Sequence, residues 1–205
     1  MESEADGWSP RPAGPDNART RRRGQRRDRV FDAAVALIVE QGYEATTMDE
    51  IALRADVART SVFNYFERKS AFLDEWSARR RERAFRSLPR AGGDGTLRDE
   101  LSDSLRVLAD VSSSSRRETT ALIGAAVREL DLLDDHPLTH EFGAVVERHR
   151  TELRPGVDPH LVAMTLTVGY FAVLRSWIGT GPPRFELEAR FLGLLDLLMQ
   201  GALDG

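Results

Sequence analysis

The chain contains no cysteine, which excludes disulfide staples, thiolate metal sites and cysteine nucleophiles together. Lysine is nearly absent: of 29 basic residues, Lys69 is the single lysine and the rest are arginine. Long apolar runs are missing too. The longest, Leu161 to Leu174, is broken by Thr165, Thr167 and Gly169 and followed by Arg175, short of the roughly 18–20 residues a membrane span needs. The N-terminal stretch is polar and arginine-rich and lacks the apolar core of a secretory signal, so a cytoplasmic protein without membrane contact is expected. There is no useful strand alternation, no internal repeat, no Gly-rich phosphate loop after a strand and no G-x-S-x-G elbow. An enzyme is not expected, and no cofactor is.

What is present is a 205-residue chain, 41% hydrophobic and 30% charged, the balance of an ordinary soluble fold of one or two domains. Its net charge of −4 hides an asymmetry: residues 17–90 carry 17 basic against 11 acidic side chains, residues 91–205 carry 11 against 18. A basic N-terminal part suits a polyanion, and the acidic remainder has other work.

Residues 1–18, rich in Pro, Gly and charge with Trp8 as the large apolar group, read as a disordered tail. The arginine run 19–29 merges into a first helix carrying Val30, Ala34, Leu37 and Ile38, with Gly42 placed as a left-handed cap. Thr47 and Glu50 form a capping box for a second helix ending near Ala55. Asp56, Val57 and Ala58 make a turn in which Asp56 stands where glycine is often found, and Arg59 to Tyr65 fits a short third helix. A fourth starts near Lys69 and stops before Pro89. Five more follow: one along Leu97, Leu101, Leu105 and Leu108; one opened by a Ser115–Glu118 capping box; one from Asp135 and Pro137 to about Leu153; one from Asp158–Pro159 to about Ile178; and one from about Glu186 to Gln200. The expected fold is all-α, with about nine helices: an N-terminal three-helix helix-turn-helix domain at 19–68 and a C-terminal helical bundle at 69–205.

A helix as short as the third is marginal alone, so its neighbours must hold it for a purpose. Val62, Phe66 and Val57 are expected to pack on the first two helices through Ile51 and Leu53. Arg59, Thr60, Ser61, Asn64 and Tyr65 are then left outward, residue types that read base edges or hold phosphates. Thr47 and Lys69, each at a helix start, add phosphate ligands, and the arginine run adds attraction indifferent to sequence.

The stretch from about Arg26 to Leu73 resembles the DNA-binding domain of the TetR (tetracycline-repressor) family of bacterial transcription regulators. The residues that carry the likeness are Ala33-Ala34, Glu40-Gln41-Gly42-Tyr43, Ala45-Thr46-Thr47, Ile51-Ala52, Ala55, Val57, Val62-Phe63-Asn64-Tyr65-Phe66, Lys69 and Leu73. The resemblance implies that Thr47 is a phosphate-contacting cap, that Arg59, Thr60 and Asn64 read bases, and that Ser61, Tyr65 and Lys69 touch the DNA backbone. Three positions depart from it: Ala58 replaces a common serine cap, Phe63 a common tyrosine, and Tyr65 a frequent histidine. It further implies a homodimer through the last two helices, a palindromic operator, repression as the usual mode, and a small effector enclosed by the fourth to seventh helices; the scarcity of charge in their apolar stripes favours a hydrophobic or aromatic effector over a phosphorylated one. Candidate lining residues are Phe72, Trp76, Leu101, Leu105, Leu108, Leu122, Phe142, Val146, Tyr170 and Trp177, for each of which core packing is the plain alternative.

Two other readings stand beside this one on sequence, a constitutive DNA-binding protein and an enzyme. A constitutive DNA-binding protein without an effector shares every N-terminal feature. A metal site would have to use His136 and His140 near Asp134, Asp135 and Glu141, but two histidines at a helix start are ordinary surface residues and no metal is expected.

Overall fold

The computed structural model describes residues 15–86, 88, 95–129, 136–179 and 181–203. Trp8 and most of the tail, the loop after Pro89, Leu130, Asp134 and Asp135 lie outside the described residues, as do the side chains of 15–18 and 127–129. Nine α-helices are found among the described residues: α1 (Pro15–Gln41), α2 (Met48–Arg54), α3 (Arg59–Tyr65), α4 (Ser70–Arg86), α5 (Leu97–Ser114), α6 (Arg116–Glu129), α7 (Pro137–Arg148), α8 (Pro159–Trp177) and α9 (Leu187–Ala202). The all-α expectation holds, and the only extended pairing among these residues is an isolated bridge between Leu153 and Leu203.

Local chemistry explains most boundaries. Gly42, at φ 89°, closes α1, and its N–H donates to the Ile38 carbonyl at 2.9 Å. Thr47 caps α2 reciprocally: its Oγ1 accepts from the Glu50 N–H, and the Glu50 carboxylate accepts from the Thr47 N–H. Asp56 adopts φ 52° in the α2–α3 turn, the left-handed conformation that a short polar side chain tolerates best. Ala58 begins α3 with no side-chain cap.

Four boundaries and contacts differ from the sequence reading. Helix α1 begins at Pro15, inside the stretch read as a tail. A proline in the first turn loses no hydrogen bond, because the N–H it lacks has no partner within the helix. The Ser115–Glu118 capping box does not form. Ser115 Oγ instead donates to the Val111 carbonyl at 2.7 Å, and the Glu118 carboxylate accepts from the indole N–H of Trp76. Helix α7 ends at Arg148 rather than near Leu153. A 3-10 turn at Arg150–Glu152 lets the Glu152 carboxylate accept the Leu97 N–H at the start of α5 while it contacts His149 Nδ1 at 2.7 Å. Leu53 is 84% exposed instead of packing under α3. Two residues along a helix is a turn of about 200°, so burying Ile51 turns Leu53 outward.

Helix α3 has seven residues and is held from outside. Val62 and Phe66 are buried with Ile51 and Ala55. Phe66 lies between Phe31 and Phe72, with ring centroids 6.5 and 4.2 Å away. The start of α4 is thus part of the same packing. Arg27 of α1 makes paired 2.7 Å hydrogen bonds to the Glu75 carboxylate, and Arg79 adds bonds to Glu75 and Asp28.

In the C-terminal part, α8 packs against α7 and α9, and α5 against α9 and α4. Tyr170 sits at the centre, stacked on Phe191 with centroids 4.9 Å apart. A Cβ on Gly169 would stand 2.6 Å from the Leu194 side chain, so glycine permits the close approach of α8 to α9. The far sides of these two helices leave Leu161, Val168 and Leu197 exposed, Leu197 by 70%. No helix among the described residues is long and apolar enough to cross a membrane.

Candidate nucleic-acid interface

The outer side of α3 follows from the burial of its inner side. With Val62 and Phe66 inward, Arg59, Thr60, Phe63 and Asn64 are exposed and Ser61 and Tyr65 half-buried. Arg59 pairs with Asp49 of α2 at 2.8 Å, and its guanidinium lies 5.7 Å from the Phe63 ring centre. Both partners of that ion pair are well exposed, and such pairs contribute about 0–1 kcal/mol. Exchanging Asp49 for a base edge or phosphate therefore costs little.

Thr47 stands exposed at the start of α2, its hydroxyl donating to Glu50 at 2.8 Å. The hydrogen bonds from Thr47 hold the Glu50 carboxyl below its ordinary pKa. Lys69 is placed differently from a free phosphate ligand. Its ammonium donates to the Tyr43 carbonyl at 2.8 Å and lies 4.3 Å from the Tyr43 ring centre. It braces the turn that delivers Thr47.

Ser61, Asn64 and Tyr65 border one open concavity of about 320 Å³ together with Arg23. Arg23 is the residue that reading the sequence missed as an individual member of this surface. Because α1 continues upstream to Pro15, the arginine run is helical, and Arg19, Arg22, Arg23 and Arg26 recur at helical spacing. Carrying the helical period of α1 back through Gly24 was the signal available. Arg27, by contrast, is taken up by Glu75 and by the Phe66 ring, 4.8 Å from its guanidinium. The two arginines around Glu75 hold its carboxyl down at about 2.

The ten effector-lining candidates are all buried. Trp76 borders a cavity between α1 and α4–α6. Phe72 packs against the Phe66 ring in a tilted pair, and Tyr170 accepts a 2.9 Å hydrogen bond from Arg80. Leu101, Leu105, Leu108, Leu122, Phe142, Val146 and Trp177 are packed into the core.

Among the described residues no group of three His, Asp or Glu is arranged to hold a metal. His136 caps α7, its Nδ1 accepting the Leu138 N–H at 3.1 Å, and its ring meets Phe171 edge-on. Burial lowers its pKa to about 4.

Comparison with known proteins agrees with this geometry. Residues 30–76 match the family described as bacterial regulatory proteins, tetR family. The chain is similar to the HTH-type transcriptional repressor KstR of Rhodococcus jostii strain RHA1: 27% identical over 193 residues, covering 91% of this chain and 88% of that one. Of solved structures, FadR of Thermus thermophilus, a TetR-family transcriptional repressor in complex with lauroyl-CoA, superposes with a TM-score of 0.64 at 26% identity, covering 87% of this chain and 96% of that one. TylP, a TetR regulator from Streptomyces fradiae, superposes with a TM-score of 0.62 at 25% identity and covers 89% of both chains.

Proposed function

The chain belongs to the tetR family of bacterial regulatory proteins, and from that premise we propose that it is a cytoplasmic transcriptional repressor. In this reading it binds a palindromic operator as a homodimer and leaves it when a small, largely apolar effector binds. Residues 19–68 form the DNA-binding unit; 69–205 hold effector and partner. The observation that carries the reading is the outward side of α3, where Arg59, Thr60 and Asn64 stand exposed on a helix whose inner side is buried. Arg59, Thr60 and Asn64 read bases, while Thr47, Ser61, Tyr65 and Lys69 hold the backbone, with Arg23 and the arginines of α1 alongside.

Dimerisation is supported by the exposed apolar residues Leu161, Val168 and Leu197 on α8 and α9. A 19-residue α8 is about 30 Å long, enough for one side of a four-helix interface. Two copies of α3 would then enter successive major grooves about 34–36 Å apart or somewhat more. Repression is supported by the similarity to KstR and FadR, both transcriptional repressors, and an effector by the lauroyl-CoA complex of FadR.

The test is selection of bound fragments from genomic DNA with the purified full chain. A two-fold symmetric site is expected. No enrichment over random DNA at low salt refutes DNA regulation, and an unsymmetrical single half-site refutes the dimer.

A further inference from the structure

The cavity between α1 and α4–α6 has a volume of about 310 Å³. One wall is α1, through Phe31, Asp32 and Val35; the other includes Trp76, Arg79, Arg80 and Arg83 of α4 and Glu118 of α6. Its charges are unevenly committed. Arg79 is neutralised by Glu75 and Asp28. Arg80 is only 7% exposed, yet among the described residues no carboxylate pairs with it. Its guanidinium donates to neutral acceptors, the Tyr170 hydroxyl, the Leu108 carbonyl and Ser112 Oγ, and its Nε has no acceptor among the described residues. A guanidinium taken out of water without a countercharge costs several kcal/mol. Arg83, one turn on, also lacks a carboxylate partner among the described residues and faces the same cavity.

We propose that this cavity binds an amphipathic organic anion, its carboxylate or phosphate facing Arg80 and Arg83 and its apolar part lying against Phe31, Val35 and Trp76. The inference rests on the reading of the chain as an effector-responsive regulator and names the chemical class of effector: not a purely apolar molecule but one with an acidic head. Arginine suits either head group through its fork of donors. The volume, the share of about ten waters, selects a compact ligand. The two walls belong to the DNA-binding unit and to the helices behind it, so an occupant touches both and sets the separation of α1 from α6. Two acids oppose the anion. Asp32 lies on the rim, and Glu118 is held by the Trp76 indole within the cavity. Glu118 therefore supplies a control of sign.

The experiment is titration calorimetry on the DNA-free full chain with three probes of one length: octanoate, octyl phosphate and neutral octanamide. The anions are expected to bind at least about tenfold more tightly than octanamide, and the tighter of the two identifies the head group. Arg80→Met should weaken the anions by about tenfold or more. Glu118→Gln keeps an acceptor for Trp76 and should tighten the anions severalfold without changing octanamide. Val35→Trp should block all three by filling the space. The last two variants decide the matter if Arg80→Met does not fold. Octanamide binding as tightly as octanoate, neither anion binding at millimolar concentration, or Glu118→Gln leaving anion affinity unchanged overturns the proposal. The two readings fail separately. A chain that binds octanoate but selects no DNA loses the repressor function and keeps this site; a chain that selects a symmetric operator but binds no probe does the reverse.

Discussion

Replacing Glu75 by glutamine removes one charge from the joint between α1 and α4. Glu75 is 20% exposed and accepts 2.7 Å hydrogen bonds from Arg27 of α1 and from Arg79. Those arginines lower its pKa from 4.5 to about 2. At 1.36 kcal/mol per unit the shift caps the charge contribution at about 3 kcal/mol. The cluster lies beside solvent, and screening cuts that to about 1–2 kcal/mol. For a chain of this size each kcal/mol moves Tm by about 2–4 °C, so Glu75→Gln should melt roughly 2–8 °C below the parent at pH 7. The pH dependence has a definite sign. A depressed carboxyl stabilises the fold above its unfolded pKa, about 4.5, and that contribution fades as pH falls toward 2. The gap between parent and variant should therefore be constant from pH 7 to about 5.5 and shrink at pH 3 to roughly 40% of its neutral value. Urea unfolding of both chains across that range measures it. Equal stability at pH 7, or a gap that stays constant down to pH 3, refutes the assignment of Glu75 as the charged link between α1 and α4.

Three further outcomes are expected. Asn64→Ala should relax base preference on the selected operator, whereas Lys69→Ala should weaken operator and random DNA alike and reduce the salt slope by about one unit. Because Lys69 also holds the Tyr43 carbonyl, its loss should speed amide exchange in the turn at 42–47; uniform binding loss without that loosening would leave Lys69 a phosphate ligand alone. Ala58→Ser supplies the cap that α3 lacks and should stabilise the chain by about 1 kcal/mol, read by urea unfolding, with no gain counting against the boundary at Ala58. The triple change Leu161→Glu, Val168→Glu and Leu197→Glu should convert a dimer to a monomer in sedimentation at micromolar protein while leaving the helical circular-dichroism signal unchanged; an undisturbed dimer places the interface elsewhere.

Features that depend on a few consecutive residues were legible in the amino-acid order. The Thr47–Glu50 box, the left-handed Gly42 and Asp56 and the uncapped Ala58 were all expected and all appear, because each is decided by hydrogen bonds and sterics within one turn of the backbone. Outward placement of Arg59, Thr60 and Asn64 followed from the same periodicity. Where a distant partner competes, the local rule lost. Glu118 could have capped α6, but an indole 42 residues earlier took its carboxylate. Arg80 stands in the sequence between Arg79 and Arg81 with nothing local to set it apart, and only the packing of α4 in the tertiary structure buries it beside Tyr170 and Ser112. Arg23 joins Ser61, Asn64 and Tyr65 through the angle between α1 and α3. Helix ends and faces are short-range properties, present wherever the residues are. The desolvation of a charge and the company it keeps are set by which helices meet, and that is decided by the summed packing of the whole chain.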